Sequence, residues 1–235
     1  MNQERLVSNL TEVNQRIADA AARASRQAGE ITLVAVTKYV AIDEVLGAIA
    51  AGCRSLGESR PQQLWSKAKH VDESLPDAKI EWHMIGHLQR NKVEKSLDFS
   101  SLIHSVDSLR LMQAINNAAL KRDRAANLLL EVNVSGDQSK HGWHPAEIGE
   151  ALAAAEQLTH VNVHGLMTMA ALGGGPDVSR QNFRELRSIF EKLKPAAGPD
   201  FKHLSMGMSG DYEIAIEEGA TLVRVGSALW EGVTA

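Results

Sequence analysis

Ile31-Thr32-Leu33-Val34-Ala35-Val36-Thr37-Lys38 is an apolar, β-branched run that stops on a lysine. Such a run reads as a strand buried on both faces, as strands of parallel sheets are. A cation at its end is costly unless it has a partner or a task. Burial would lower the pKa of Lys38 and free its amine to attack a carbonyl, which opens Schiff-base chemistry. The plainer alternative is a surface lysine that follows a strand.

The same pattern recurs down the chain. Strand-like runs cover residues 31–37, 53–57, 80–85, 101–106, 127–134, 161–169, 201–206 and 221–225. Helical patterns lie between them: 41–51, a segment opened by Pro61, 87–97, 108–124, a segment opened by Pro145, 178–193 and 210–218. A further helix precedes the first strand, with Leu6, Leu10, Val13, Ile17 and Ala21 at spacings of three and four, and Gly29 as its stop. Eight β-then-α units in 235 residues match a single (β/α)8 barrel with an extra N-terminal helix. A doubly wound open sheet is the alternative, but no G-x-G-x-x-G follows the first strand. Nothing resembles a linker, so one domain over residues 1–235 is expected.

Bulk composition narrows the function. Apolar residues make up 44% and charged residues 23%, and the net charge is −4. That is ordinary for a soluble globular protein and gives no support for a nucleic-acid surface. Arg90, Lys92 and Lys95 read as a solvated helix face, with Glu94 and Asp98 among them. Cys53 is the only cysteine, which fits a reducing cytoplasm and excludes an internal disulfide. The polar start, Met1 to Arg5, does not read as a signal peptide, and no run is long enough to span a bilayer.

In a barrel, chemistry sits at the C-terminal ends of the strands. Those ends carry Lys38, Gly57-Glu58-Ser59-Arg60, Gly86, Asn133, Met167, Ser205-Met206-Gly207-Met208-Ser209-Gly210 and Arg224-Val225-Gly226-Ser227. The last two read as an anion site, because small residues let backbone N–H groups approach a phosphate and Gly226-Ser227 can open a short helix. Arg224, if it faces inward, reaches the same ligand; an ion pair with Glu58 is its other reading. His83 reads as a hydrogen-bonded interior histidine. His141 and His144 have metal-like spacing but no visible third ligand, so no metal site is expected.

These stretches together resemble the pyridoxal phosphate homeostasis protein family, whose barrel is of the alanine racemase N-terminal type. The resemblance rests on Leu33–Lys38, Gly57-Glu58-Ser59, Glu81–Gly86, Leu88–Lys92, His164–Met167, Leu204–Ser209 and Val223–Gly226, and it spans essentially the whole chain. It implies pyridoxal 5'-phosphate (PLP) as cofactor, held as an aldimine on Lys38. It implies phosphate contacts around Ser205, Met206, Gly226 and Ser227, and Arg224 facing the pyridine nitrogen. Ser59, His83, Asn133 and Met167 are secondary site candidates. Where many members read Gly-Glu-Asn-Tyr, this chain reads Gly57-Glu58-Ser59-Arg60, which puts the contacts of that asparagine and tyrosine in doubt.

Two roles follow: a carrier that stores, buffers or delivers PLP, or a racemase-like enzyme. A racemase needs a second base on the opposite face of the ring. The chain has only Tyr39 and Tyr212, and it ends at Ala235, directly after the eighth unit. A monomeric, non-catalytic carrier is the expectation, with apo PLP-dependent enzymes as acceptors. A Schiff-base aldolase ranks below both.

Overall fold

The computed structural model describes residues 1–137 and 139–233, so the last two residues of the expected domain lie outside the described residues. Eight strands form a closed parallel barrel in sequence order: β1 (Thr32–Val36), β2 (Ser55–Glu58), β3 (Glu81–Met84), β4 (Leu102–Val106), β5 (Ala126–Glu131), β6 (Val161–Met167), β7 (His203–Met208) and β8 (Leu222–Val225). The ring shuts where Val34 of β1 pairs in register with Arg224 of β8. Around it lie α1 (Gln3–Arg23), α2 (Ile42–Ala50), α3 (Pro61–Ser74), α4 (Val93–Ser96), α5 (Leu109–Leu120), α6 (Ile148–Glu156), α7 (Gly175–Ala197), α8 (Tyr212–Glu217) and α9 (Ser227–Trp230). Among the described residues, no helix is long and apolar enough to cross a membrane.

The expected barrel and its extra helix are therefore present, with boundary differences that have local causes. α1 buries Leu6, Leu10, Val13 and Ile17, each worth about 1.5–3 kcal/mol. Arg16 and Arg23 also reach Glu213 and Glu217 of α8, but these half-exposed pairs contribute about 1 kcal/mol or less. α1 ends well before Gly29: Ala24 caps it and Ser25 turns the chain with φ 56°. The helix expected over 87–97 shrinks to α4, because Gln89 is extended and only a single 3-10 turn, Arg90–Lys92, leads into it. β7 runs on to Met208 through Gly207, whose φ of 89° suits glycine; a Cβ there would lie 2.6 Å from the Ala215 methyl.

Side chains alternate across each strand, so residues two apart stack along the barrel interior. Val34, Leu102, Leu129, Met167 and Leu222 make an apolar layer. Two residues further along four of those strands stand Val36, His104, Glu131 and Arg224. The interior thus turns polar toward the C-terminal face. The larger apolar core fills the space between barrel and helices.

Candidate functional site

A cavity of about 710 Å³ opens at the C-terminal face, with Lys38, Arg224, Ser209, Gly226, Glu131 and His87 among its lining. Lys38 stands two residues beyond β1 and is exposed, its Nζ 4.8 Å from the ring centre of Tyr39. Burial is therefore not what prepares this amine, contrary to the expectation from the apolar run. What is buried is its support. Thr37 donates its N–H to Gly57 O (2.8 Å), and its hydroxyl lies 3.2 Å from Glu58 Oε2. Lys67 of α3 donates to Thr37 O (2.7 Å) and to Glu58 Oε2 (2.8 Å). Glu58 also accepts from the backbone N–H of Ser59 at 2.8 Å. Every backbone polar atom of Thr37 is engaged, so the chain enters Lys38 at a fixed angle. Glu58 points out of the barrel into this ion pair with Lys67, so it is not the partner of Arg224.

Arg224 is buried on the cavity floor. It donates Nη1 to Ser205 Oγ (2.6 Å) and Nη2 to Thr168 O (2.8 Å). Burial pulls its pKa down to about 10, opposed by Glu131 and then Asp211, so it remains a cation at neutral pH. Ser205 Oγ continues to His104 Nδ1 at 2.8 Å, and His104 Nε2 to His83 Nδ1 at 2.8 Å. Arginine can only donate. One assignment then satisfies the line: the Ser205 hydroxyl donates to His104, and His104 donates to His83. Complete burial holds the His104 pKa well below the usual imidazole range, with His83 and Arg224 adding to the effect, so His104 is neutral. This line of side chains fixes the guanidinium from beneath.

Beside Lys38, the loops after β7 and β8 form a cradle. The hydroxyl of Ser209 accepts from the backbone N–H of Gly226 (3.1 Å) and of Ala228 (3.4 Å). The two N–H groups fix that oxygen in place and leave the Ser209 O–H as the donor at the cavity wall. A Cβ at Gly226 would sit 3.4 Å from Val36 Cβ, in ordinary contact with the strand that leads to Lys38. Across the barrel, Glu131 ends β5. Burial pushes its carboxyl up to about 7, with the charge of Asp107 in the same direction and Arg224 opposing.

The family model described as "Alanine racemase, N-terminal domain" matches residues 9–232. A pyridoxal phosphate homeostasis protein of Aquifex aeolicus is 38% identical over 221 residues, covering 94% of this chain and 95% of that one. The chain belongs to the pyridoxal phosphate homeostasis protein family. Among solved structures, an unknown protein from Bifidobacterium adolescentis superposes with a TM-score of 0.89 at 37% identity, covering 97% of this chain and 95% of that chain. PipY of Synechococcus elongatus PCC7942, solved with PLP bound, gives 0.79 at 36% identity, covering 91% of this chain and 99% of PipY.

The structure brings together only part of the set that the family resemblance implies. Lys38, Ser59, Arg224, Gly226 and Ser227 all line the cavity. Ser205 lies beneath, holding Arg224, and His83 is two hydrogen bonds further inside. Met167 is in the apolar layer of the interior. Met206 points outward into the core between barrel and helices. Asn133 is in the loop beyond β5, where its amide donates to Asp137 O at 2.8 Å. Glu131 at the end of β5 and Met169, two residues beyond β6, line the cavity instead. Ser209, Glu131 and His87 are among the lining residues that sequence reasoning did not select. Ser209 lay within the quoted Ser-Met-Gly-Met-Ser run and was recoverable from it; the other two carried no local signal.

Proposed function

We propose that this chain binds PLP through Lys38 and holds it for delivery to other proteins. The carrying observation is the joint placement of an accessible lysine, a buried guanidinium and a hydroxyl fixed by a pair of converging N–H groups around one cavity. The cavity's volume and chemistry suit a phosphorylated aromatic aldehyde. Family members carry PLP homeostasis in their names, and PipY was solved with PLP, which supports the same reading.

When bound, PLP supplies an aldehyde carbon that an amine can capture and a ring that can take up electron density. The residues of this chain do the rest. Lys38, exposed and steered by Thr37, presents its amine to the aldehyde. Ser209, Gly226 and Ser227, which line the cavity beside Lys38, would hold the phosphate, with the Ser209 hydroxyl as a donor. Arg224, a donor with nothing to accept a proton, would meet the ring nitrogen and would leave it unprotonated, which would make the ring a weak electron sink. That favours holding over turnover.

The positions of the two tyrosines support the carrier reading, although Tyr39 lines the cavity. Tyr39 is 79% exposed and stands beside Lys38 itself, and Tyr212 is buried outside the barrel under Arg16. An open cavity and an exposed lysine suit exchange with acceptor apo-enzymes. We take the chain to act as a monomer in a reducing cytoplasm. Burial pushes the thiol of Cys53 up to about 11, which keeps it out of redox chemistry there.

The test is reconstitution with PLP, borohydride reduction and peptide mapping. A visible band and a reduced adduct on Lys38 are expected; an adduct on another lysine, or none, overturns the reading. A panel of L- and D-amino acids separates carrier from enzyme. Racemisation at about one turnover per second or faster would overturn the carrier role. Its loss in Glu131→Gln would then name the missing base.

A further inference from the structure

The loops after β3, β4 and β5 bring His87, Asp107 and His141 together on the arc of the barrel away from the cradle. The geometry points to a binding site for a divalent first-row transition ion of the zinc type, held by His87 Nδ1, Asp107 Oδ2 and His141 Nδ1 with an open position toward the cavity. His87 Nδ1 is 3.1 Å and His141 Nδ1 3.7 Å from the same oxygen, Asp107 Oδ2. The two imidazoles stack with centroids 4.2 Å apart and planes 17° from parallel. All three ligand atoms lie within 4.8 Å of one another, close enough to meet one ion after a small contraction.

The surroundings look built. Asp107 is the inner member, its side chain 11% exposed, and its other oxygen accepts from the Ser108 hydroxyl at 3.0 Å. A carboxylate oriented by a neighbour in this way is typical around metal ligands. His141 is carried by a loop anchored to the barrel. Trp143 donates its indole N–H to Val106 O (2.9 Å) and its backbone N–H to Glu131 O (2.7 Å). Among the described residues, no lysine or arginine lies within ion-pair distance of Asp107 or Glu131; the nearest basic side chains paired with Asp107 are the two imidazoles. Two imidazoles and one carboxylate suit zinc, nickel, cobalt or copper, whereas magnesium and calcium prefer oxygen alone. His87 and His141 line the cavity, so the open position would take a carboxylate or amino group of a molecule entering it.

His144, the histidine that shares sequence spacing with His141, has another job: its Nδ1 accepts from Ala146 N at 3.2 Å and caps the next turn.

The test uses tag-free full-length chain, stripped with a chelator and free of PLP, titrated with zinc by calorimetry and with cobalt by visible absorption. One ion per chain is expected, with the intense bands of four-coordinate cobalt. His87→Ala, Asp107→Asn and His141→Ala should each weaken binding by more than roughly 100-fold, beyond the upper end of what losing an outer-shell partner costs. His144→Ala and Lys38→Ala should leave it unchanged, and circular dichroism should show every variant folded. Magnesium should not compete. Absence of binding, binding that survives His87→Ala and His141→Ala, or equal competition by magnesium would overturn the site. Because no PLP is present, these results do not depend on the carrier reading.

Discussion

Two arcs of one barrel rim are built in different ways. Around β7, β8 and β1 the rim is made of backbone N–H groups, small residues and a lysine whose preceding residue is fully hydrogen-bonded. Around β3, β4 and β5 it is made of titratable side chains on longer loops. The first arc is specified by close approach and leaves little room for substitution. The second is specified by three side chains from three separate units. One fold therefore supports a shape-reading site and a ligand-field site a cavity's width apart.

The largest expected effect separates the two arcs outright. Lys38→Ala should abolish the visible PLP band, whereas His87→Ala with His141→Ala should leave it in place; absorption spectra after reconstitution read both. Stability should divide in the same sense. Glu58→Ala leaves Lys67 buried without its carboxylate and should cost about 3–5 kcal/mol in urea unfolding. Asp107→Asn, opposite two imidazoles of which both are more than 40% exposed, should cost about 1 kcal/mol or less. If the two losses are equal, the first arc is no more rigidly built than the second.

Acid should act on the barrel between them. Burial pulls the pKa of His203 down to about 4, helped by Lys202, His164 and His83 and opposed by Glu81, and it also keeps His104 neutral. Both stay unprotonated in the fold while the unfolded chain takes up protons near pH 6.5. Stability is then fully present above about pH 6.5 and falls as pH drops toward 4, by about 3 kcal/mol at most for His203. Melting temperatures across that window check the sign, and His203→Asn should flatten the slope. The smallest effect is Tyr212→Phe. This buried hydroxyl has no hydrogen-bond partner among the described residues, and removing it should stabilise by up to about 1 kcal/mol in the same urea assay.

The barrel was legible because its signals are local. β-branched runs, Pro61 and Pro145 at helix starts and an amphipathic first segment each declare themselves within a dozen residues. The cavity lining was legible on the strand ends nearest the seam: Lys38, Arg224, Gly226 and Ser227. Elsewhere the errors follow the pleat. β5 was expected to run three residues further than it does, so Asn133 was selected where Glu131 lines the cavity; on β6 the selected Met167 is the true strand end, and Met169, two residues beyond it, reaches the cavity, on the same face at a different depth. Placing Met206 beside Ser205 mixed the two faces of one strand, because neighbours point opposite ways. His87 and His141 were not legible as a pair, since 54 residues and two whole strands separate them. The nearer partner in sequence, His144, was the wrong one.

The indole of Trp230 donates to Val36 O at 2.6 Å and lines the cavity two residues before Lys38 enters it. That makes the last helix a fluorescent reporter fixed in the same cavity as Lys38. A ligand that absorbs in the near ultraviolet should drain Trp230 emission by energy transfer. Loading and hand-over could then be followed in real time, without a label, from the light of a residue native to the chain.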